Sequence, residues 1–184
     1  MEQENLTRVF ICVTFPDEVI NEIARLQESL LGWKFQGKMT ELENIHVTLK
    51  FLGEIDVERV EKVRKLLREV KFDFFQARLS EIGTFSFRGM PRIVWVKVGG
   101  EGIFQLQKKI DDVLKGFFVA EKRFMSHLTL ARVKYVDDKE RFKKYVKKIS
   151  VKNVRFTLDR FFLKKSLLGR MGPVYSVLEE IKNV

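Results

Sequence analysis

His46-Val47-Thr48-Leu49 and His127-Leu128-Thr129-Leu130 are one pattern written twice, 81 residues apart, and they hold both histidines of the chain. In a β-strand, alternate side chains point to opposite faces. Each copy therefore offers an imidazole and a hydroxyl on one face and buries two aliphatic residues on the other. One such string arises often by chance; two matched copies that use every histidine do not. An imidazole, with an unperturbed pKa of about 6.5, gives or takes a proton near neutral pH. Two of them beside hydroxyl groups make an acid/base site, with His46 and His127 as the catalytic candidates.

The surroundings of the two copies also match. Arg8 to Phe15 is nearly continuous in its apolarity and predicts a strand. Pro16-Asp17-Glu18 opens a helix ended by Gly32, and 33–43 is irregular enough to predict a loop. Asn44 to Leu52 predicts the first histidine strand, stopped at Gly53. Asp56 caps a second helix with Val57, Val60, Val63, Leu66, Leu67 and Val70 on its apolar stripe. Phe72 to Phe87 predicts further strand, Arg88-Gly89-Met90-Pro91 a turn, and Arg92 to Val98 another strand. Gly99-Gly100 then leads into a helix marked by Ile103, Leu106, Ile110, Val113 and Leu114. The second histidine strand spans Phe124 to Val133, a lysine-rich helix Asp137 to Ile149, and a strand Val154 to Leu163. Gly169 to Pro173 predicts a loop and Val174 to Leu178 a short closing strand. At the same offset, Thr48 falls on Thr129, Phe51 on Arg132 and Asp56 on Asp137, while Glu58-Arg59-Val60 echoes Glu140-Arg141-Phe142 one residue out of step.

This long period indicates a duplicated lobe rather than a solenoid of short repeats. The expected fold is α+β: two lobes related by a pseudo-twofold axis, each a mostly antiparallel sheet with outer helices, around a central cleft. The first repeat covers about 8–87, the second about 92–166, with the closing strand at about 174–178. No Pro/Gly/Ser-rich linker separates them, so the chain is expected to fold as one unit.

Composition narrows the chemistry. A net charge of +10 and a pI near 9.7 favour phosphate-rich partners, although a solvated Lys/Glu-rich surface has the same composition. No apolar run approaches the roughly 20 residues that span a bilayer. The polar, acidic start Met1-Glu2-Gln3-Glu4-Asn5 is unlike a secretory leader, so the expected location is the cytoplasm, with no membrane partner. Cys12, the lone cysteine, lies in an apolar run and is expected to be a buried small hydrophobe rather than a nucleophile. Two histidines without clustered Cys or carboxylate ligands do not complete a zinc site, and neither a phosphate-binding glycine loop nor a nucleophile elbow is present. No metal or cofactor is expected.

In-line displacement at phosphorus needs a base for the attacking oxygen and an acid for the leaving oxygen, on opposite sides of the phosphorus. A pseudo-twofold cleft with one histidine from each lobe provides that placement. Thr48 and Thr129 can donate to non-bridging phosphoryl oxygens, and Arg132 can add charge-assisted bonds. Strand parity aims Arg132 away from the face of His127, so its use requires a bulge or strand end before it. Phe51, at the equivalent place, can stack on a base; the plainer alternatives are a core Phe51 and a surface Arg132.

These motifs resemble the two-histidine phosphoesterase superfamily, and within it the RNA 2',3'-cyclic phosphodiesterase branch, also called 2'-5' RNA ligase. The resemblance covers nearly the whole chain, through Arg8-Val9-Phe10-Ile11, Glu43 to Glu54, Pro91 to Val96, Ser126 to Arg132 and Gly172-Pro173-Val174-Tyr175. It departs at Ser126, where proline is common. It implies a metal-independent hydrolase that opens 2',3'-cyclic phosphate ends of RNA, tRNA fragments among them, to leave a 2'-phosphate. It implies His127 as proton acceptor from water and His46 as proton donor to the 3' oxygen, an order that the symmetry itself leaves open. Thr48, Thr129 and Arg132 would bind the phosphate, and Lys50, Arg88, Arg92, Lys164, Lys165 and Arg170 are candidates for guiding the RNA. A monomer is expected. The alternatives are a 2'-5' RNA ligase using the same site in reverse, and a non-catalytic RNA-binding module.

Overall fold

A computed structural model of the chain describes residues 6–169 and 172–183. Its strands are β1 (Thr7–Val13), β2 (Gln36–Met39), β3 (Val47–Ile55), β4 (Phe75–Phe87), β5 (Met90–Gly99), β6 (His127–Tyr135), β7 (Arg155–Leu158), β8 (Arg160–Gly169) and β9 (Gly172–Lys182). The helices are α1 (Asp17–Leu30), α2 (Val57–Leu67), α3 (Glu101–Leu114) and α4 (Lys139–Lys148), with a 3-10 turn at Leu42–Asn44. The strands form an antiparallel sheet in the order β7-β4-β5-β6-β3-β1-β8-β9, with β2 added to β6. That order is a palindrome about the seam between β6 and β3. The seam is one residue pair, Val47 with Leu128, and these two are themselves 81 residues apart. The two-lobed α+β architecture expected from the repeat is present.

The lobes are not the consecutive halves 8–87 and 92–166. β4, from the first half, pairs with β5, while β8, from the second, pairs with β1. The second lobe thus takes β4 and the short β2 from the first half, and the first lobe takes β8, with β9 beside it, from the later part of the chain. The predicted strand 154–163 is correspondingly two strands. The chain crosses between lobes at Asp159, sending β7 to one end of the sheet and β8 towards the other.

One face of the sheet packs on the helices. Val47, Leu49, Val94, Val96, Leu128 and Leu130 meet Val19, Ile23, Leu26, Val63, Ile103, Ile110, Phe142 and Val146 in a continuous apolar core. Asp56 caps α2 as expected, its carboxylate accepting from the Arg59 amide at 2.7 Å. In α4 the equivalent cap is Asp138, not Asp137: it accepts from the Arg141 amide at 2.9 Å, and the one-residue slip in the repeat locates this shift.

Other boundaries differ for local reasons. β2 lies inside the predicted loop; its four residues lack strand patterning and become a strand by pairing with the edge of β6. Gly37 permits that approach, since a Cβ there would collide with the Arg132 carbonyl. The predicted strand 44–52 begins instead at Val47 and runs through Gly53 to Ile55, because Gly53 takes φ +77° beside a bulge at Leu52 and pairing resumes. The predicted turn 88–91 narrows to Arg88-Gly89. Of the predicted loop 169–173, residues 170 and 171 lie outside the described residues, while Gly169 ends β8 and Gly172 and Pro173 already belong to β9, which runs for 11 residues.

Candidate active site

His46 stands immediately before β3, and His127 opens β6. Each ring is fixed in the same way. His46 Nδ1 lies 2.7 Å from the Asn44 carbonyl oxygen, and His127 Nδ1 lies 2.7 Å from that of Met125. A carbonyl only accepts, so each Nδ1 carries hydrogen and donates. In the neutral rings, each Nε2 is therefore a lone-pair acceptor on the cleft side. At His46 that nitrogen lies 3.1 Å from Thr48 Oγ, and the hydroxyl donates to it. Sequence reasoning missed Asn44 and Met125 because their backbone, not their side-chain type, does the work.

The bulge that Arg132 required is present. Trp95 pairs with Thr129 and Val94 with Ala131, leaving Leu130 as the extra residue of β6. β3 repeats this at Leu49, between the Cys12–Thr48 and Ile11–Lys50 pairs. After each bulge the parity inverts, so Leu130 and Ala131 are both buried, as are Leu49 and Lys50. Arg132 and Phe51 consequently return to the face of the histidines. The bulged Leu130 carbonyl accepts from the Thr40 amide at 2.9 Å and from Gln27 Nε2 at 3.0 Å, which pins the turn in direction.

His46, His127, Thr48, Thr129, Arg132 and Phe51 all line one cleft of about 1050 Å³. Its walls add Phe10, Phe85 and Tyr175, together with two segments, 38–44 and 121–125, that lead into the histidines. Phe51 is 75% exposed, which removes it from the core and leaves its ring open to a ligand.

The proposed RNA-guiding cations separate. Lys50 is buried after its bulge and its ammonium bonds to Asp111 and to the Val119 carbonyl at 2.7 Å, so it is a structural residue. Arg88 sits in the β4–β5 turn over the Phe87 ring, and Arg92 donates to the Lys134 carbonyl; neither lines the cleft. Lys164 lies on the lobe of His46, beside the Phe162 ring, and its charge is felt at His46. Lys165 is not among the cleft-lining residues. Arg170 lies outside the described residues.

Burial pushes the His46 imidazole down to about 4, against the pull of the Asn44 carbonyl, and the charges of Lys164 and Arg132 act with burial. His46 is neutral in the free protein. Cys12 is fully buried, and burial pushes its thiol up to about 12, in keeping with an inert core residue. Among the described residues, no group of three or more His, Cys, Asp or Glu side chains converges to hold a metal ion. No helix among them is long and apolar enough to cross a membrane.

Comparison with known proteins follows the same geometry. The family model for LigT-like phosphoesterases matches twice, over residues 13–95 and 96–175, once per repeat. A Methanocaldococcus jannaschii protein named RNA 2',3'-cyclic phosphodiesterase is 33% identical, covering 94% of this chain and 99% of the relative. One of the same name from Aeropyrum pernix is 33% identical, covering 89% and 96%. A crystal structure from Thermus thermophilus superposes with a TM-score of 0.81 at 26% identity, covering 95% of this chain and 97% of the other. The doubled motif, the palindromic sheet and these matches agree: the chain belongs to the LigT-like phosphoesterase family.

Proposed function

We propose that the chain, folding as one two-lobed unit and acting as a cytoplasmic monomer, hydrolyses 2',3'-cyclic phosphate ends of RNA, tRNA fragments among them. The product is a 2'-phosphate and a free 3'-hydroxyl, and no metal takes part. The observation that carries this reading is the matched pair of Nδ1–H···O=C bonds, which leaves both Nε2 atoms as lone-pair acceptors on one cleft, that of His46 beside the Thr48 hydroxyl. The name shared by the relatives from Methanocaldococcus jannaschii and Aeropyrum pernix supports the substrate.

In the reaction, His127 Nε2 takes a proton from water as the water oxygen attacks phosphorus. The bond from phosphorus to the 3' oxygen breaks, and a proton on His46 Nε2 passes to that oxygen. Arg132 and the Thr48 and Thr129 hydroxyls hold the non-bridging oxygens, where negative charge grows in the transition state. His46 is neutral before substrate binds; the anionic diester arriving beside it favours the protonated form that the step uses. The Phe51 ring stacks on a base.

The test is hydrolysis of an oligonucleotide with a 2',3'-cyclic end, in EDTA, by wild type, His46→Ala and His127→Ala, with the product phosphate mapped. Turnover to a 2'-phosphate that survives EDTA and fails in both variants is expected. Full activity in both variants would overturn the mechanism, and binding without turnover by wild type would favour a non-catalytic RNA-binding module. The division of roles is read with a substrate whose leaving 3' atom is sulfur. A thiolate needs little protonation, so His46→Ala should recover activity on it while His127→Ala should not.

A second reading, 2'-5' RNA ligation, is favoured by the size of the cleft. At about 1050 Å³ it has room for a second strand end whose 5'-hydroxyl replaces water. Adding a 5'-hydroxyl acceptor to the same reaction separates the two.

A further inference from the structure

Two histidines with matched motifs, matched carbonyl partners and matched bulges would be chemically equal. An in-line displacement needs them to differ, one giving a proton and the other taking it. The difference lies one to three strands further out.

In the first lobe, Phe10 pairs with Phe51 on one side and Lys164 on the other. In the second, Ile93 pairs with Arg132 and Phe85. Ile93 thus takes the place of Phe10, and Phe85 that of Lys164. By the same register Cys12 and Phe162 correspond to Trp95 and Gly83, an exchange of small and large that conserves packed volume. β9 then adds Tyr175, paired with Ser166 of β8. β7 holds the corresponding position in the second lobe but pairs with Phe75 to Arg78 only, well short of Phe85 along β4. Tyr175 therefore has no counterpart.

The ring geometry follows from this. Tyr175 meets His46 edge-on, with centroids 5.4 Å apart at 89°, and meets Phe10 at 5.0 Å and 69°. Phe10 itself is 5.0 Å from the His46 ring. His127 is also met edge-on, by Phe85 at 5.0 Å and 87°, so the difference is two rings against His46 and one against His127 among the described residues.

We propose that Tyr175 is a positioning residue that, with Phe10, clamps the His46 imidazole in a water-poor slot with Nε2 towards the phosphate site, and that this clamp makes the two matched histidines unequal. The proposal rests on the phosphodiesterase reading of the cleft. The ring is the working part, since it excludes water from His46 and limits its rotation about the Asn44 bond. Charged and titratable groups approach from each neighbouring element: Lys164 on β8, Arg132 and His127 on β6, Cys12 on β1, and Glu41 before the 3-10 turn. The nearby cations act with the dry slot to keep His46 neutral until an anion enters.

With only two histidines in the chain, ring-labelled histidine gives two imidazole signals in an NMR titration, assigned by the His46→Ala and His127→Ala variants. The variants tested are Tyr175→Ala and Tyr175→Phe, with Tyr175→Leu in place of alanine if that variant does not fold. In Tyr175→Ala the His46 midpoint should rise by about one unit or more as water enters, with the His127 signal unmoved. On a cyclic-ended oligonucleotide, kcat should fall about tenfold or more and KM change less, while Tyr175→Phe stays near wild type in both. An unmoved His46 midpoint in Tyr175→Ala, equal movement of both signals, or loss in Tyr175→Phe equal to that in alanine overturns the proposal. The titration needs no substrate, so it can fail or succeed separately from the phosphodiesterase reading.

Discussion

Replacing Lys50 by methionine tests whether this residue serves RNA or the fold. Its side chain is 4% exposed and that of Asp111 8%. The pair is enclosed by further bonds: Lys50 to the Val119 carbonyl at 2.7 Å, Gln107 Nε2 to Asp111 at 2.7 Å and the Glu121 amide to Asp111 at 2.8 Å. Burial alone pushes the Asp111 carboxyl up, but the bond from Lys50, with those from Glu121 and Gln107, more than offsets this and holds it below the usual range. Lys50→Met leaves a buried carboxylate without its cation, at a cost of about 3–5 kcal/mol. With a urea dependence of about 2 kcal/mol per molar, the denaturation midpoint should fall by roughly 2 M at pH 7. The double variant Lys50→Met/Asp111→Leu removes the stranded charge and should recover most of that loss. It also releases Val119 and Glu121, so the wall at 121–125 loses its anchor and activity stays reduced while stability returns. A Lys50→Met cost under about 1 kcal/mol, or a variant of normal stability whose RNA binding has merely lost one phosphate contact from its salt dependence, would refute this reasoning.

Arg132→Ala removes charge-assisted bonds of about 1.5–3 kcal/mol and should lower kcat/KM about 10- to 150-fold, measured at fixed salt. Phe51→Ala should leave the thermal midpoint nearly unchanged, since the ring is mostly exposed. It should raise KM for oligonucleotides by about 5- to 150-fold if a base stacks there. The Ser126 hydroxyl is buried without a hydrogen-bond partner, so Ser126→Ala should stabilise by about 1 kcal/mol, read as a higher thermal midpoint. Because the His46 value lies near 4 when folded and about 6.5 unfolded, the unfolded chain binds the extra proton between those limits. Stability is full above about 6.5 and falls by up to about 3 kcal/mol as pH drops towards 4. Urea denaturation across that window should show the slope in wild type and its loss in His46→Gln.

The sequence by itself determined the repeat, the two histidines with their threonines, the helices and the two-lobed class. These are properties of spacing and period, and both survive in a linear string. It even located the fault at Arg132, because alternation along a strand is strict enough to show when a residue faces the wrong way. Only the tertiary structure decided what depends on partners distant in the chain. β2 is a strand because β6 offers an edge, and no pattern in Gln36-Gly37-Lys38-Met39 marks it. The exchange of β4 and β8 between lobes is a choice of sheet neighbour, which local pattern does not encode. Lys50 looked like a surface cation until the bulge at Leu49 turned it inward onto Asp111, a residue 61 positions away. The unequal surroundings of His46 and His127 are likewise invisible in two matched motifs; they include Tyr175 on the last strand, brought beside the first motif through the β3–β1, β1–β8 and β8–β9 pairings.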